Sequence, residues 1–84
     1  MKKDERFNYL LDKLYDLTVA LESTSLSIEL LNHRGYKSES LITYGEWLLE
    51  RIEIIKKDLR KEAPKGFNES WIKAAESSAR KAAL

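Results

Sequence analysis

Hydrophobic residues recur along most of the chain in alternating steps of three and four, the spacing that lines up one side of an α-helix. A first seam of this kind lies between residues 7 and 31, and a second between residues 41 and 59. The seams consist of Phe7, Leu10, Leu14, Leu17, Leu21, Thr24, Ile28 and Leu31, and of Leu41, Gly45, Leu48, Ile52, Ile55 and Leu59. The pattern therefore predicts two long amphipathic helices.

Two breaks divide the pattern. Gly35 follows the first seam and fits the position just after a helix, where glycine adopts a positive φ without steric cost. The segment `APKG`, residues 63–66, contains the single proline, which cannot continue a helix interior. Ser38 and Asn68 are suitable caps for the helices that follow. We predict helices over about residues 4–34, 39–62 and 69–82.

The short connection between the first two helices makes them antiparallel neighbours. Folding the chain about residue 36 places Leu14 near Leu59 and Phe7 near Phe67, so the two seams match along their length. The predicted fold is a single all-α domain: a long antiparallel helical hairpin with a short third helix, assembling into a helical-bundle dimer.

The hairpin contains one irregular level. Residues 22–27, `ESTSLS`, are rich in hydroxyl side chains, and Gly45 falls opposite them although a glycine inside a helix costs about 1 kcal/mol relative to alanine. Three explanations are open. The two backbones approach closely there, a side chain of a partner inserts into the notch, or serine hydroxyls bond back to the preceding turn and bend the helix.

Each long helix also carries a second apolar stripe that the hairpin itself cannot bury. On the first helix it comprises Tyr15, Val19, Leu26 and Leu30, which we assign to self-association in a homodimer. On the second helix Trp47 and Ile54 lie away from the seam, and with Arg51 and Tyr44 they form the predicted partner-binding surface. Aromatic residues and arginine dominate binding hot spots.

The third helix, `NESWIKAAESSARKAAL`, is rich in alanine and serine. At 100° per residue, one face collects its small residues, and Trp71 and Ile72 are the only large anchors of the helix. This predicted packing face comprises Trp71, Ala74, Ala75, Ser78, Ala79 and Ala82. Lys73, Glu76 and Arg80 are expected to point away from it. Such a narrow face covers one stripe at most, and a second copy or a partner must cover the rest.

Composition narrows the function classes. The chain has 84 residues, no cysteine and a net charge of +1, so disulfide scaffolds and thiolate-metal sites are excluded. No apolar run reaches the length of a membrane span, and the N-terminus lacks the apolar stretch of a signal peptide. We expect a cytoplasmic protein with no membrane association.

The sequence contains few residues suited to catalysis. His33 is the single histidine and sits in the last turn of the first helix, where a cation suits the helix dipole. No nucleophile elbow, phosphate-binding loop or metal-ligand motif is present. We expect no enzyme activity, no metal and no cofactor.

The C-terminal segment supports an alternative function. Residues 63–84 carry four basic residues against two acidic ones, and Lys65, Lys73, Arg80 and Lys81 could contact nucleic acid in a dimer. Binding phosphates firmly takes more cations than this, and the near-neutral chain provides no long-range attraction. The main prediction is a small protein-binding module that acts as an adaptor, inhibitor or assembly subunit, of the kind that phages and mobile elements encode.

Overall fold

The computed structural model describes residues 2–83 and contains three α-helices, with no strand in that range. They are α1 (Lys3–His33), α2 (Glu39–Lys61) and α3 (Ser70–Ala83). The predicted all-helical fold is confirmed. Five of the six helix ends differ from the predicted ones by one residue, and the start of α2 coincides with its prediction.

The turn between α1 and α2 is a hydrogen-bonded helix stop. Gly35 has a φ of +79°, and its N–H donates to the carbonyl of Asn32 while the N–H of Tyr36 donates to that of Leu31. These two bonds are those of a Schellman motif, which uses carbonyls that would otherwise lack partners. The Ser38 hydroxyl donates to the side chain of Asn32 at 3.0 Å rather than capping α2. The turn is thereby tied to the last residues of α1.

The first two helices are antiparallel. Near the turn, a Cβ added to Gly45 would lie 3.9 Å from the methyl group of Thr24. At the far end, Arg6 of α1 pairs with Glu62, just beyond α2, at 3.4 Å. One cluster of buried side chains joins the hairpin to α3: Phe7, Leu10, Leu14, Ile52, Ile55, Leu59 and Ile72.

The third helix runs parallel to α1 and covers only part of the hairpin. It begins beside Phe7, whose ring centroid is 6.2 Å from that of Trp71, and it reaches Glu22, which pairs with Arg80 at 3.5 Å. Fourteen helical residues span about 21 Å, against about 46 Å for the 31 residues of α1. The half of the hairpin nearest the turn therefore extends past α3.

The predicted packing face of α3 is partly wrong. The residues fully buried on α3 are Ile72 and Ala79, Ala75 is half-buried, and Trp71 is 43% exposed. The helix is rotated by about one residue because Ile72 enters the core cluster. The same rotation turns Glu76, which was expected to face solvent, toward Lys56 of α2.

The irregular level of the hairpin contains back-bonded hydroxyls. The Thr24 hydroxyl donates to the carbonyl of Ala20 at 2.7 Å, and that of Ser27 to the carbonyl of Ser23 at 3.0 Å. The 3.9 Å separation at Gly45 is ordinary van der Waals contact. Glycine is therefore not required here by close approach of the two helices.

Candidate protein-binding surface

Two aromatic side chains of α2 form an exposed pair. Tyr44 is 45% and Trp47 is 51% exposed, and their rings stack with centroids 6.0 Å apart and planes 15° from parallel. Their spacing of three residues on a helix brings them onto neighbouring positions. Each ring is held in place by the other while both remain open to solvent.

Trp47 and Arg51 lie at a groove between α1 and α2, on the side of the hairpin opposite α3. We call it the basic groove; its volume is about 420 Å³. It is lined by Arg6, Tyr9, Leu10, Lys13, Leu17, Trp47, Arg51, Ile55 and Asp58. The floor is apolar, because Leu10 and Ile55 belong to the core cluster and Leu17 packs against it.

The charged side chains of the basic groove differ in whether they have an interaction partner. Arg6 pairs with Glu62. The ammonium of Lys13 lies 5.7 Å from the centroid of the Tyr9 ring, a cation–π contact. Within residues 2–83 neither Lys13 nor Arg51 forms an ion pair, and Asp58 is the single carboxylate of the lining.

Ile54, the fourth residue of the predicted partner-binding surface, lies outside the basic groove. It is exposed on the same side of α2 as Trp47, seven residues further along. There it lines a second, open cleft of about 570 Å³ with Lys57, Asp58, Arg60 and Lys61. The predicted residues thus occupy one continuous side of α2, with Asp58 lining both concavities.

Four polar residues of the groove lining were not predicted from the sequence: Arg6, Tyr9, Lys13 and Asp58. Tyr9 and Lys13 lie one helical turn apart on α1, and they become part of the site only because α1 packs beside Trp47 and Arg51. The spacing of four residues between Tyr9 and Lys13 can be seen in the sequence, and so can the register of the hairpin. Listing the residues that flank the apolar seam on both helices at the same level would have identified the two.

The predicted self-association stripe is divided into two parts. Tyr15 and Val19 are half-buried at the level of α3. Leu26 is 37% and Leu30 is 61% exposed in the half beyond α3. Ile42 and Leu49 of α2 are exposed there as well, and they precede Lys56 at intervals of seven residues, on the side of α2 that faces α3.

Ion pairs join α3, and the residue just before it, to α2. Lys56 pairs with Glu76 at 3.1 Å between side chains that are mostly buried, and Arg60 pairs with Glu69 at 2.7 Å at the surface. The hydrogen bond to Glu69 raises the pKa of the Arg60 guanidinium, and desolvation acts in the opposite direction. Arginine is charged throughout the accessible pH range, so the raised pKa does not make this guanidinium a pH switch.

The four cations proposed for nucleic-acid contact are not equivalent. Arg80 is engaged by two carboxylates, Glu22 at 3.5 Å and Glu76 at 3.8 Å. Lys73 and Lys81 are exposed on α3, and Lys65 is exposed in the segment before it. Among the described residues, 2–83, the three lysines of this set form no ion pair.

Other chemistry-bearing groups are dispersed. No three histidine, cysteine or carboxylate side chains within residues 2–83 are placed to hold a metal ion. His33 is exposed at the end of α1. None of the three helices, as far as they are described, has the length and apolar character of a membrane span.

Comparison with known proteins gives no assignment: no protein-family model, no curated protein sequence and no solved structure matches this chain.

Proposed function

We propose that the protein is a non-enzymatic protein–protein interaction module that binds another protein through Tyr44, Trp47, Arg51 and Ile54 and the adjoining basic groove. The observation that carries the proposal is the half-exposed Trp47, stacked on Tyr44 beside a concave surface with an apolar floor. Large apolar side chains of this kind lose contact with water on association, and they supply much of the binding free energy.

The proposal fits an adaptor, an inhibitor or an assembly subunit, because all three act by occupying a surface of another protein. The site consists of aromatic, aliphatic and charged side chains on two packed helices. Such a surface is largely pre-formed, so little conformational entropy is lost when a partner docks.

Site-specific photocrosslinking in cells that contain the natural partner tests the proposal. A photoreactive benzoylphenylalanine replaces Tyr44, at the edge of the surface, and in a control protein it replaces Tyr36, which is exposed in the turn. We expect a discrete protein adduct from position 44 and none from position 36. The adduct should disappear when Trp47→Ala is added, with the helical circular dichroism unchanged.

Equal labelling from both positions, or labelling from position 44 that survives Trp47→Ala, would remove the proposed surface. Recovery of nucleic acid in place of protein would favour the alternative function that uses the basic C-terminal helix.

Self-association is a separate part of the proposal. We infer that two copies pair through the half of the hairpin beyond α3, where Leu26 and Leu30 of α1 and Ile42 and Leu49 of α2 are exposed. Burying a leucine- or isoleucine-sized side chain contributes about 1.5–3 kcal/mol. A symmetric dimer would cover these side chains with the same set from the second copy.

A further inference from the structure

The packing of α3 shows how this hairpin accommodates a helix. On one side of the hairpin, α3 inserts Ile72 into the core and packs Ala75 against it. The carboxylate of Glu76 reaches Lys56 of α2, and that of Glu69, the residue just before α3, reaches Arg60. Beside α2, the apolar seam of α3 is thus flanked by acids that meet bases, whereas beside α1 the polarity is reversed, because Arg80 of α3 pairs with Glu22.

The basic groove, on the opposite side of the hairpin, also has an apolar floor beside cations, and within residues 2–83 no helix covers it. Leu10, Leu17 and Ile55 form its floor, and Lys13 and Arg51 flank it from the two helices. In contrast to Lys56 and Arg60, these two cations have no carboxylate partner within residues 2–83. The groove therefore presents positive charge beside an apolar surface.

We propose that the basic groove binds an amphipathic α-helix of the partner protein, whose apolar seam is flanked by glutamate or aspartate residues. This inference rests on the proposed protein-binding function and specifies the partner's chemistry. Apolar side chains of the partner helix contact the groove floor and Trp47, while its carboxylates pair with Lys13 and Arg51. The hairpin is then covered by a helix on both sides, as in a four-helix bundle.

The dimensions of the groove set the length of the bound helix. Its lining extends from residue 6 to residue 17 on α1 and from residue 47 to residue 58 on α2. At 1.5 Å per residue each helix contributes about 16 Å, which corresponds to about three turns of a partner helix. Three turns provide apolar anchors at positions i, i+3 or i+4, and i+7.

A second copy of the chain is a poor occupant of the same groove. In a symmetric dimer a surface meets its own duplicate, so Lys13 and Arg51 would face the same cations of the other copy. Like charges placed together oppose association. The charge distribution thus assigns this groove to a different protein.

Nucleic acid also fits the groove less well than an acidic helix. Two unpaired cations neutralise few phosphates, and the Asp58 carboxylate in the lining would repel the backbone. The apolar floor offers nothing to a phosphate chain, although it suits leucine or isoleucine side chains.

A charge-swap experiment with synthetic peptides tests the inference. The probe is a fluorescein-labelled amphipathic peptide of about four turns, with a leucine seam flanked by glutamates; in its counterpart every glutamate is replaced by lysine. Fluorescence anisotropy at low salt measures the dissociation constant of each peptide with the full chain. We expect the acidic peptide to bind at least about tenfold more tightly than the basic one.

Protein variants then locate the interaction. Lys13→Glu combined with Arg51→Glu should invert the peptide preference. Lys73→Glu combined with Lys81→Glu, which makes the same change in net charge on the exposed side of α3, should preserve it. Circular dichroism establishes that all variants keep their helix content.

Four results would overturn the inference. Equal binding of both peptides, with binding still lost in Trp47→Ala, would leave a protein-binding surface without charge selection. Binding of neither peptide would overturn the acidic-helix proposal, whereas the crosslinking from position 44 decides the broader function independently. Tighter binding of a single-stranded oligonucleotide than of the acidic peptide would replace the protein partner with nucleic acid. Conversion of a dimer to a monomer by the peptide would assign the groove to self-association.

Discussion

Individual side chains of this chain divide into those that hold the fold and those that are free to bind. Leu14 is fully enclosed, and its replacement by alanine should cost about 3–5 kcal/mol through lost burial and the cavity left behind. Trp47 is larger but half exposed, so Trp47→Ala should cost less than about 1 kcal/mol. Urea unfolding followed by circular dichroism at 222 nm measures both values.

The contrast between these two variants is informative because a domain of 84 residues has a total stability of about 4–13 kcal/mol. Leu14→Ala should therefore remove a large part of it. A loss at Trp47 as large as that at Leu14 would place the indole in the core, and the binding surface would have to lie elsewhere.

Gly45 allows a second test at this scale. A methyl group added there would make ordinary contact with Thr24, and alanine is the better helix former. We expect Gly45→Ala to stabilise the protein by about 0.5–1 kcal/mol, which raises the melting temperature by several degrees.

Gly35→Ala is the matched control for Gly45→Ala. Gly35 has open space around it but a φ of +79°. Alanine should destabilise the protein by about 1–2 kcal/mol there, since a left-handed backbone strains a residue with a Cβ. Destabilisation by both substitutions would mean that the helices approach more closely at Thr24 than the structure shows.

At the scale of whole elements, the packing of α3 depends on one small residue in its second half. Ala79 is fully buried, whereas Ala82, three residues later, is exposed. We expect Ala79→Leu to destabilise the protein by about 1–3 kcal/mol through overpacking, and Ala82→Leu to have little effect. Thermal unfolding of both variants measures the effect. If the buried face of α3 were centred on Trp71 instead, Ala82→Leu would lower the melting temperature as much as Ala79→Leu.

The three helices could be predicted from the sequence because their apolar spacing, Gly35 and the proline-containing break are local signals. The rotation of α3 could not, because Trp71 and Ile72 are adjacent and both apolar. Which of the two side chains enters the core depends on the space that Phe7 and Phe67 leave at that end of the hairpin. Helical periodicity alone does not contain this information.

The predicted binding surface shows the same limit. Trp47 and Arg51 were identifiable because they lie off the seam of a single helix. Tyr9 and Lys13 join them only through the packing of two helices against each other. Sequence periodicity thus predicts the residues that a helix leaves exposed, whereas the groove is a property of the pair of helices.

At the scale of the whole molecule, the protein is an elongated body of about 50 × 21 × 18 Å, with α3 against one side of its hairpin. The basic groove lies on the opposite side, and the exposed leucines and isoleucine beyond α3 form a third region. The last two regions differ in chemistry: the basic groove carries cations without ion pairs among residues 2–83, whereas the region beyond α3 is largely aliphatic. The acidic partner and the second copy that we propose would therefore use separate surfaces.

Separate surfaces predict separable variants, and Leu30 provides the decisive one. It is 61% exposed, so Leu30→Asp should leave the melting temperature of the monomer fold nearly unchanged. The same charge should disrupt an apolar dimer contact. Light scattering behind a sizing column should give twice the chain mass of 9.8 kDa for the parent protein and the single chain mass for the variant.

Trp47→Ala, tested alongside, should remain dimeric. A monomeric parent at every concentration would contradict self-association, and a monomeric Trp47→Ala would transfer the dimer contact to the basic groove.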